Sequence, residues 1–383
     1  MNATGYSFEV KAQTGNARRG ELVTPHGKVN TPAFMSVATY GTVRGVAAHD
    51  LQEMGSEILL ANTYHLHERP GEKIIEGLGG LHGFTGWTGP WLTDSGGFQV
   101  TSLADRVKVN DEGVTFSSPL DGGRRLLTPE NVIGIQEALG SDIAMVLDEC
   151  LRPVADGEEP RSADALDRSL ASALERTLRW ADRSAQARKR ADQAVFAIVQ
   201  GGVSETRRRH SAKSISNLGF DGYAHGGLGL GESREERRDV VACAHGELDA
   251  AAPRYLMGLG KPLDIVDAVA VGVDMFDCVV PTRNGRHGML FTSQGLLPVR
   301  NARFRDDPRP PDPACACPTC SRYSRAYLRH LLHTGEALGS RLATQHNLCF
   351  YFRLMEDCRR HIEAGTFDAF HAEIEVLASA RAD

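Results

Sequence analysis

The chain has 383 residues, 40 of them glycine, with 41% hydrophobic and 24% charged residues and a net charge of −6. That balance fits a large globular α/β enzyme and excludes a coiled coil, a disordered chain and a nucleic-acid binder acting through net charge alone. No run of 18 apolar residues and no signal-type apolar core occurs, so a cytoplasmic protein with no membrane partner is expected.

The first residues, 1–30, read as a small antiparallel addition. Eight short apolar, β-rich runs then follow: Ala33–Ala38, Glu57–Tyr64, Trp91–Thr93, Ile143–Leu147, Val195–Gln200, Gly222–Ala224, Arg254–Met257 and Met275–Val280. Several lack the alternation of a half-exposed strand, which suits strands covered on both faces. Helical patterns lie between them. Leu166, Leu170, Leu174 and Leu178 make one apolar stripe with a charged back, and Arg234–His245 and Leu263–Val271 are further candidates. Eight strands alternating with helices predict a (β/α)₈ TIM barrel over residues 31–300, in preference to a doubly wound sheet. Hairpin signals between Val107 and Thr128 predict an insertion at about 105–130, after the third strand. Residues 301–383 open with a proline-rich loop, carry a cysteine cluster and continue as helices, predicting a metal-binding helical subdomain packed on the barrel.

Three aspartates stand where predicted strands stop: Asp94 in TDSGGFQ, Asp148 in AMVLDEC and Asp277 in DMFDCVVP. A closed parallel sheet brings the ends of all its strands to one rim. Several carboxylates without an obvious catalytic histidine suit chemistry at an acetal-like carbon, one attacking while another moves a proton. A third can instead accept hydrogen bonds from the N–H groups of a ligand. The residues alone reach glycosidic-bond chemistry on a base-bearing ligand. Either Asp274 or Asp277 could face the substrate. The glycine run 226–231 lacks the spacing of a dinucleotide fingerprint and suits a strand end where backbone closely approaches a flat ligand, or a tight turn.

Cys315, Cys317 and Cys320 are three soft donors within six residues and suit tetrahedral zinc, with His330, His333 or His346 as the fourth ligand. The other five cysteines (150, 243, 278, 349 and 358) are scattered along the sequence. Residues 283–329 hold nine arginines against three aspartates, a surplus of six positive charges that is either a solvated surface or a phosphate-facing patch.

In this order, FMSVATYGTV, ILLANTYHLHERPG, LTDSGGFQV, EGVTFSSPLDG, ALGSDIAMVLDEC, DGYAHGGLGLGE, YLMGLGKP, GVDMFDCVVPTRNGRHG and CACPTCSRYSRAYLRHL resemble the bacterial tRNA-guanine transglycosylase (queuine tRNA-ribosyltransferase) family over nearly the whole chain. The resemblance implies a TIM barrel with a zinc subdomain. It also implies exchange of guanine at wobble position 34 of tRNAs with a GUN anticodon for a 7-deazaguanine precursor, without ATP or a redox cofactor. Carried over by motif, Asp277 is implied as nucleophile, Asp94 as general acid/base and Asp148 as the reader of the guanine edge. Gln200, Gly227 and Leu228 are implied beside the base, with Phe98 and Met257 on its faces. Arg283, Arg286 and Lys261 are implied as tRNA contacts. The family's T-x-H-N segment, here ATQHN, implies His346 as the fourth ligand of one structural zinc, and a homodimer is implied as well. Most bacterial members have Leu-Ala-Val-Gly-Glu where this chain has Leu228-Gly229-Leu230-Gly231-Glu232. The added bulk of Leu230 favours 7-aminomethyl-7-deazaguanine over a bulkier base.

Overall fold

Each of the eight apolar runs becomes one strand in the computed structural model, which describes residues 5–103, 105–151 and 162–382. The strands are β1 (Ala33–Val37), β2 (Leu59–Ala61), β3 (Trp91–Thr93), β4 (Ile143–Met145), β5 (Ala194–Val199), β6 (Gly222–His225), β7 (Arg254–Leu256) and β8 (Met275–Asp277). Every neighbouring pair is parallel, and β8 pairs with β1, so the sheet closes into a (β/α)₈ barrel. Closure explains the composition of the strands: the barrel interior and the helical shell cover both faces, and β5, for instance, is buried at all six positions.

The helices begin and end where local chemistry directs. Ser162 caps the helix Ala163–Ala187 by accepting from the Ala165 N–H, and Ser233 with Glu236 forms a capping box on Arg234–His245. Within the first of these, Leu174 is buried and Leu178 packs against the barrel core. The third candidate spans Pro262–Ala270.

Three additions surround the barrel. The strands Ser7–Thr14, Ala17–Thr24 and Gly27–Thr31 form the antiparallel N-terminal sheet. Its Arg18 is buried and pairs with Asp274, while donating to the carbonyls of Ala250 (2.7 Å) and Ala252 (3.0 Å). Between β3 and β4, Asp105–Val109, Val114–Ser117 and Arg124–Leu127 make a second antiparallel sheet. After β8 come the helix Val280–His287, the hairpin Met289–Thr292/Gly295–Pro298 and the helices Arg325–Thr334, Ala337–Glu363 and Phe367–Ser379. Leu290 and Leu297 of the hairpin share one buried cluster with Phe304, Leu328, Leu332 and Leu342. The 27-residue helix Ala337–Glu363 lies against the barrel, with Tyr351 donating to the Gly260 carbonyl. Gly285 permits that approach, since a Cβ there would come within 2.9 Å of the Ala343 backbone. Among the described residues no helix is long and apolar enough to cross a membrane.

Candidate active site and metal centre

Because all eight strands point the same way, their carboxyl ends meet at one rim. Asp94 follows β3, and Asp277 ends β8. Both Asp94 oxygens are occupied: Oδ1 accepts from the N–H groups of Thr63 (3.0 Å) and Gly96 (3.1 Å), and Oδ2 from Gln99 Nε2 (2.9 Å) and Asn62 Nδ2. Four donors favour the carboxylate, yet burial, reinforced by the negative charge of Asp277, outweighs them and pushes the Asp94 pKa up to about 6. Asp277 Oδ1 accepts from the Tyr255 hydroxyl (2.6 Å) and the Gly258 N–H (2.7 Å). Burial also raises its pKa, against those two bonds. Among the described residues no hydrogen bond reaches Asp277 Oδ2, so one oxygen is anchored and the other is open. Asp274 sits before the start of β8, fully buried against Arg18 and accepting from the Arg254 N–H at 2.7 Å. The two aspartates thus face opposite ends of the barrel, and only Asp277 belongs to the rim.

Asp148 follows β4 and accepts from Gln200 Nε2 at 2.7 Å. Burial pushes its pKa up to about 6, assisted by the neighbouring Glu149 charge and opposed by Gln200. Gln200 ends the β5 run; Gly227, at φ +66°, follows β6, and a Cβ there would collide with Gln200 Oε1. The glycine run is therefore a close backbone approach as well as a turn. Leu228 is buried, Met257 at the end of β7 is half-buried, and Phe98, on the helix after Asp94, is 39% exposed. The rim combines the buried carboxylates of Asp94 and Asp148, the half-buried one of Asp277, an amide and apolar faces, a set able to enclose a flat, hydrogen-bonding ring.

Lys261 caps the helix after β7, and Arg283 and Arg286 lie on the helix after β8. No acidic group among the described residues pairs with either arginine within 4.0 Å, and partial burial together with the positive charges of Arg44, in the segment after β1, and Arg283 lowers the pKa of Arg286. Other members of the arginine surplus serve the fold. Arg325 is 1% exposed and pairs with Asp307, which also binds Arg309. Those two arginines are thus engaged within the subdomain.

Cys315, Cys317, Cys320 and His346 converge, with one donor atom from each within 4.8 Å of all the others. His346 Nε2 binds the Phe291 carbonyl at 2.8 Å, which leaves Nδ1 facing the sulfurs of Cys320 (3.2 Å) and Cys317 (3.6 Å). Ligands about 2.0–2.3 Å from a tetrahedral zinc are themselves separated by roughly 3.3–3.8 Å, so donor set and spacing both fit. Four protein donors leave no open position, and such an ion serves structure. His333 instead faces the Arg300 carbonyl. Cys349, scattered in the sequence, packs against this trio in space.

The family model of queuine tRNA-ribosyltransferase matches residues 13–378. The chain belongs to this family. It is 50% identical over 366 residues to the queuine tRNA-ribosyltransferase of Thioalkalivibrio sulfidiphilus, covering 96% of each chain. The Nitrosomonas eutropha protein of the same name is 50% identical over 363 residues, 95% of this chain and 98% of its own. That of Marinobacter nauticus is 48% identical over 371 residues, 97% of each. As a member of the queuine tRNA-ribosyltransferase family, the protein is a tRNA-guanine transglycosylase, a transferase acting on tRNA and guanine. Sequence reading missed several partners at its rim. Asn62 and Gln99 were hidden as ordinary polar residues near strand ends, and Tyr255 as a core aromatic. Arg44 carried no signal beyond its charge.

Proposed function

We propose that the enzyme exchanges guanine at position 34 of tRNAs with a GUN anticodon for 7-aminomethyl-7-deazaguanine by double displacement. The observation that carries this reading is the pairing of two carboxylates at the rim, the half-buried Asp277 with one oxygen anchored and the buried Asp94 poised at a pKa of about 6. Asp277 Oδ2 attacks C1′ of the ribose, and the C1′–N9 bond breaks. Asp94 gives the leaving guanine its proton, and a covalent ester joins RNA to enzyme. The incoming base then loses its ring N–H proton to Asp94 and attacks C1′, expelling Asp277; two inversions retain the β-linkage. A pKa near neutrality suits a group that must both donate and accept a proton in one cycle.

Asp148, ionised, accepts from N1–H and the exocyclic amine of guanine, a pattern adenine lacks. Gln200 and the Gly227 N–H serve the base carbonyl, with Leu228 beside the ring and Phe98 and Met257 on its faces. Leu230, half-buried with its N–H held by Glu232 at 2.9 Å, limits the space for a 7-substituent and favours the aminomethyl group. Arg283, Arg286 and Lys261 bind tRNA phosphates. Zinc, held by Cys315, Cys317, Cys320 and His346, orders the subdomain whose helix Ala337–Glu363 packs against the helix carrying Arg283 and Arg286. The working form is a two-fold homodimer in the cytoplasm, built of an N-terminal sheet (1–30), a catalytic barrel (31–300) and a zinc-binding helical subdomain (301–383).

Labelled guanine incubated with bulk tRNA tests the reading. Wild type should incorporate label and form a shifted protein–RNA band on denaturing gels, and Asp277→Asn should do neither. Exchange at wild-type rate by Asp277→Asn refutes the nucleophile assignment.

A further inference from the structure

Cys349 stands outside the Cys₃His set but within its reach. It follows His346 by three residues on the helix Ala337–Glu363, and residues three apart share a helix face. Its side chain packs against the cysteine trio and shares with Cys317 the wall of one cleft. The helix therefore offers two donors to a centre with one position left after the three cysteines. The imidazole takes that position because its Nε2 bond to the Phe291 carbonyl aims Nδ1 inward. Cys349 is left as a half-buried free thiol against a metal-ligand sulfur.

Access is the second observation. A cleft of about 690 Å³ is walled by Cys315, Cys317 and Cys349, together with Arg322, Arg341 and Arg353. A small oxidant can enter it and meet the Cys349 and Cys317 sulfurs side by side. Sulfur bound to a metal has a lone pair engaged, whereas Cys349 keeps its own and is the more exposed of the two, so an oxidant in the cleft meets it first.

We propose that Cys317 and Cys349 form an oxidation-sensitive pair that opens the metal centre when a hydroperoxide enters this cleft. The proposal rests on the cluster being a zinc site. In the first step Cys349 sulfur attacks a peroxide oxygen. The S–O bond forms, the O–O bond breaks, water or an alcohol leaves, and Cys349 becomes a sulfenic acid. The Cys317 thiolate then attacks that sulfur, the S–S bond forms, and hydroxide leaves. The two sulfurs together lose two electrons, and the peroxide gains two. Cys317 no longer ligates, so the ion keeps three protein donors in a site built for four, and its affinity falls. A dithiol reductant restores both thiols and the site.

The test uses full-length, zinc-loaded protein treated with hydrogen peroxide. Zinc release is followed with a chromophoric chelator, and disulfides are mapped by mass spectrometry after alkylation. Elemental analysis of the untreated protein comes first: absence of zinc sinks the zinc reading, while the peptide map still reports on the sulfur pair. Wild type is expected to release its zinc as a Cys317–Cys349 linked peptide appears, and to rebind zinc after reduction. Cys349→Ser and Cys349→Ala should both release zinc several-fold more slowly. Equal release rates in wild type and both variants overturn the proposal, as do linked peptides confined to Cys315, Cys317 and Cys320.

Discussion

Replacing Gly227 by alanine perturbs Asp148, the carboxylate proposed to read the base, without touching it. Gly227 sits at φ +66°, a left-handed conformation that costs a residue with a Cβ about 1–2 kcal/mol. The new Cβ would collide with Gln200 Oε1, so Gln200 must swing away and its 2.7 Å bond to Asp148 is lost. A hydrogen bond to a charged group is worth about 1.5–3 kcal/mol, so the combined loss is ~2.5–5 kcal/mol. Unfolding entropy near 2.1 cal/mol/K per residue gives roughly 0.8 kcal/mol/K for 383 residues, and the Tm should fall by about 3–6 °C. Guanine affinity at pH 7 should fall about 2–15-fold, because losing that bond raises the Asp148 pKa from about 6 by ~1–2 units and leaves less of it ionised. Gly229→Ala is the control. It lies at φ +76°, and its Cβ would meet only the Leu259 side chain, nearest at 2.7 Å. Calorimetry should show a Tm loss of about 1–3 °C for the control, from the backbone cost alone. Competition binding should show unchanged guanine affinity. Wild-type guanine affinity in Gly227→Ala, or equal impairment in Gly229→Ala, refutes the coupling of the glycine turn to Asp148.

Asp94 and Asp148 bind protons more tightly when folded (pKa about 6 for each) than an ordinary aspartate at 3.8, so their contribution to stability is fully present below pH 3.8 and is lost as pH rises through 6. Guanine binding should run the opposite way, strengthening as pH rises through 6 because Asp148 must be ionised to accept two donors; a flat guanine affinity from pH 5 to 8 counts against that role. Tyr255→Phe removes one of two donors on Asp277 Oδ1 and should raise that carboxyl's pKa further, moving the acidic limb of the pH–rate profile upward while guanine affinity holds; an unmoved limb excludes a positioning role. Reduced protein should carry one equivalent of zinc by elemental analysis, and Cys320→Ala should lose it and lower the Tm; retention of the metal removes Cys320 from the ligand set. Arg283→Ala and Arg286→Ala should each raise the KM for tRNA and flatten its salt dependence without altering guanine affinity; salt slopes identical to wild type exclude phosphate contact.

The amino-acid sequence by itself determined the local events. Eight apolar runs bounded by glycine and polar residues became the eight barrel strands, because strand-forming runs and their breakers act over a few neighbours. Ser162 and Ser233 start helices through bonds three residues long. Closely spaced thiolates announced a metal centre for the same reason, and Asp94, Asp148 and Asp277 could be placed at strand ends before any strand was seen to pair. Only tertiary structure decided what those side chains touch. Arg18 reaches Asp274 across 256 residues, Asn62 reaches Asp94 across 32, and Tyr255 reaches Asp277 from the adjacent strand. Barrel closure and strand register set these contacts, and neither is written in any short window. The same closure separates Asp277 at the rim from Asp274 at the opposite end, and it buries Asp94 and Asp148 deeply enough to raise both toward neutrality. Packing of the C-terminal subdomain does the same, burying Arg325 on Asp307 while Arg283 stays exposed and bringing Cys349 against the cysteine trio. Burial and proximity are properties of the packed chain, and the electrostatics of the site follow from them.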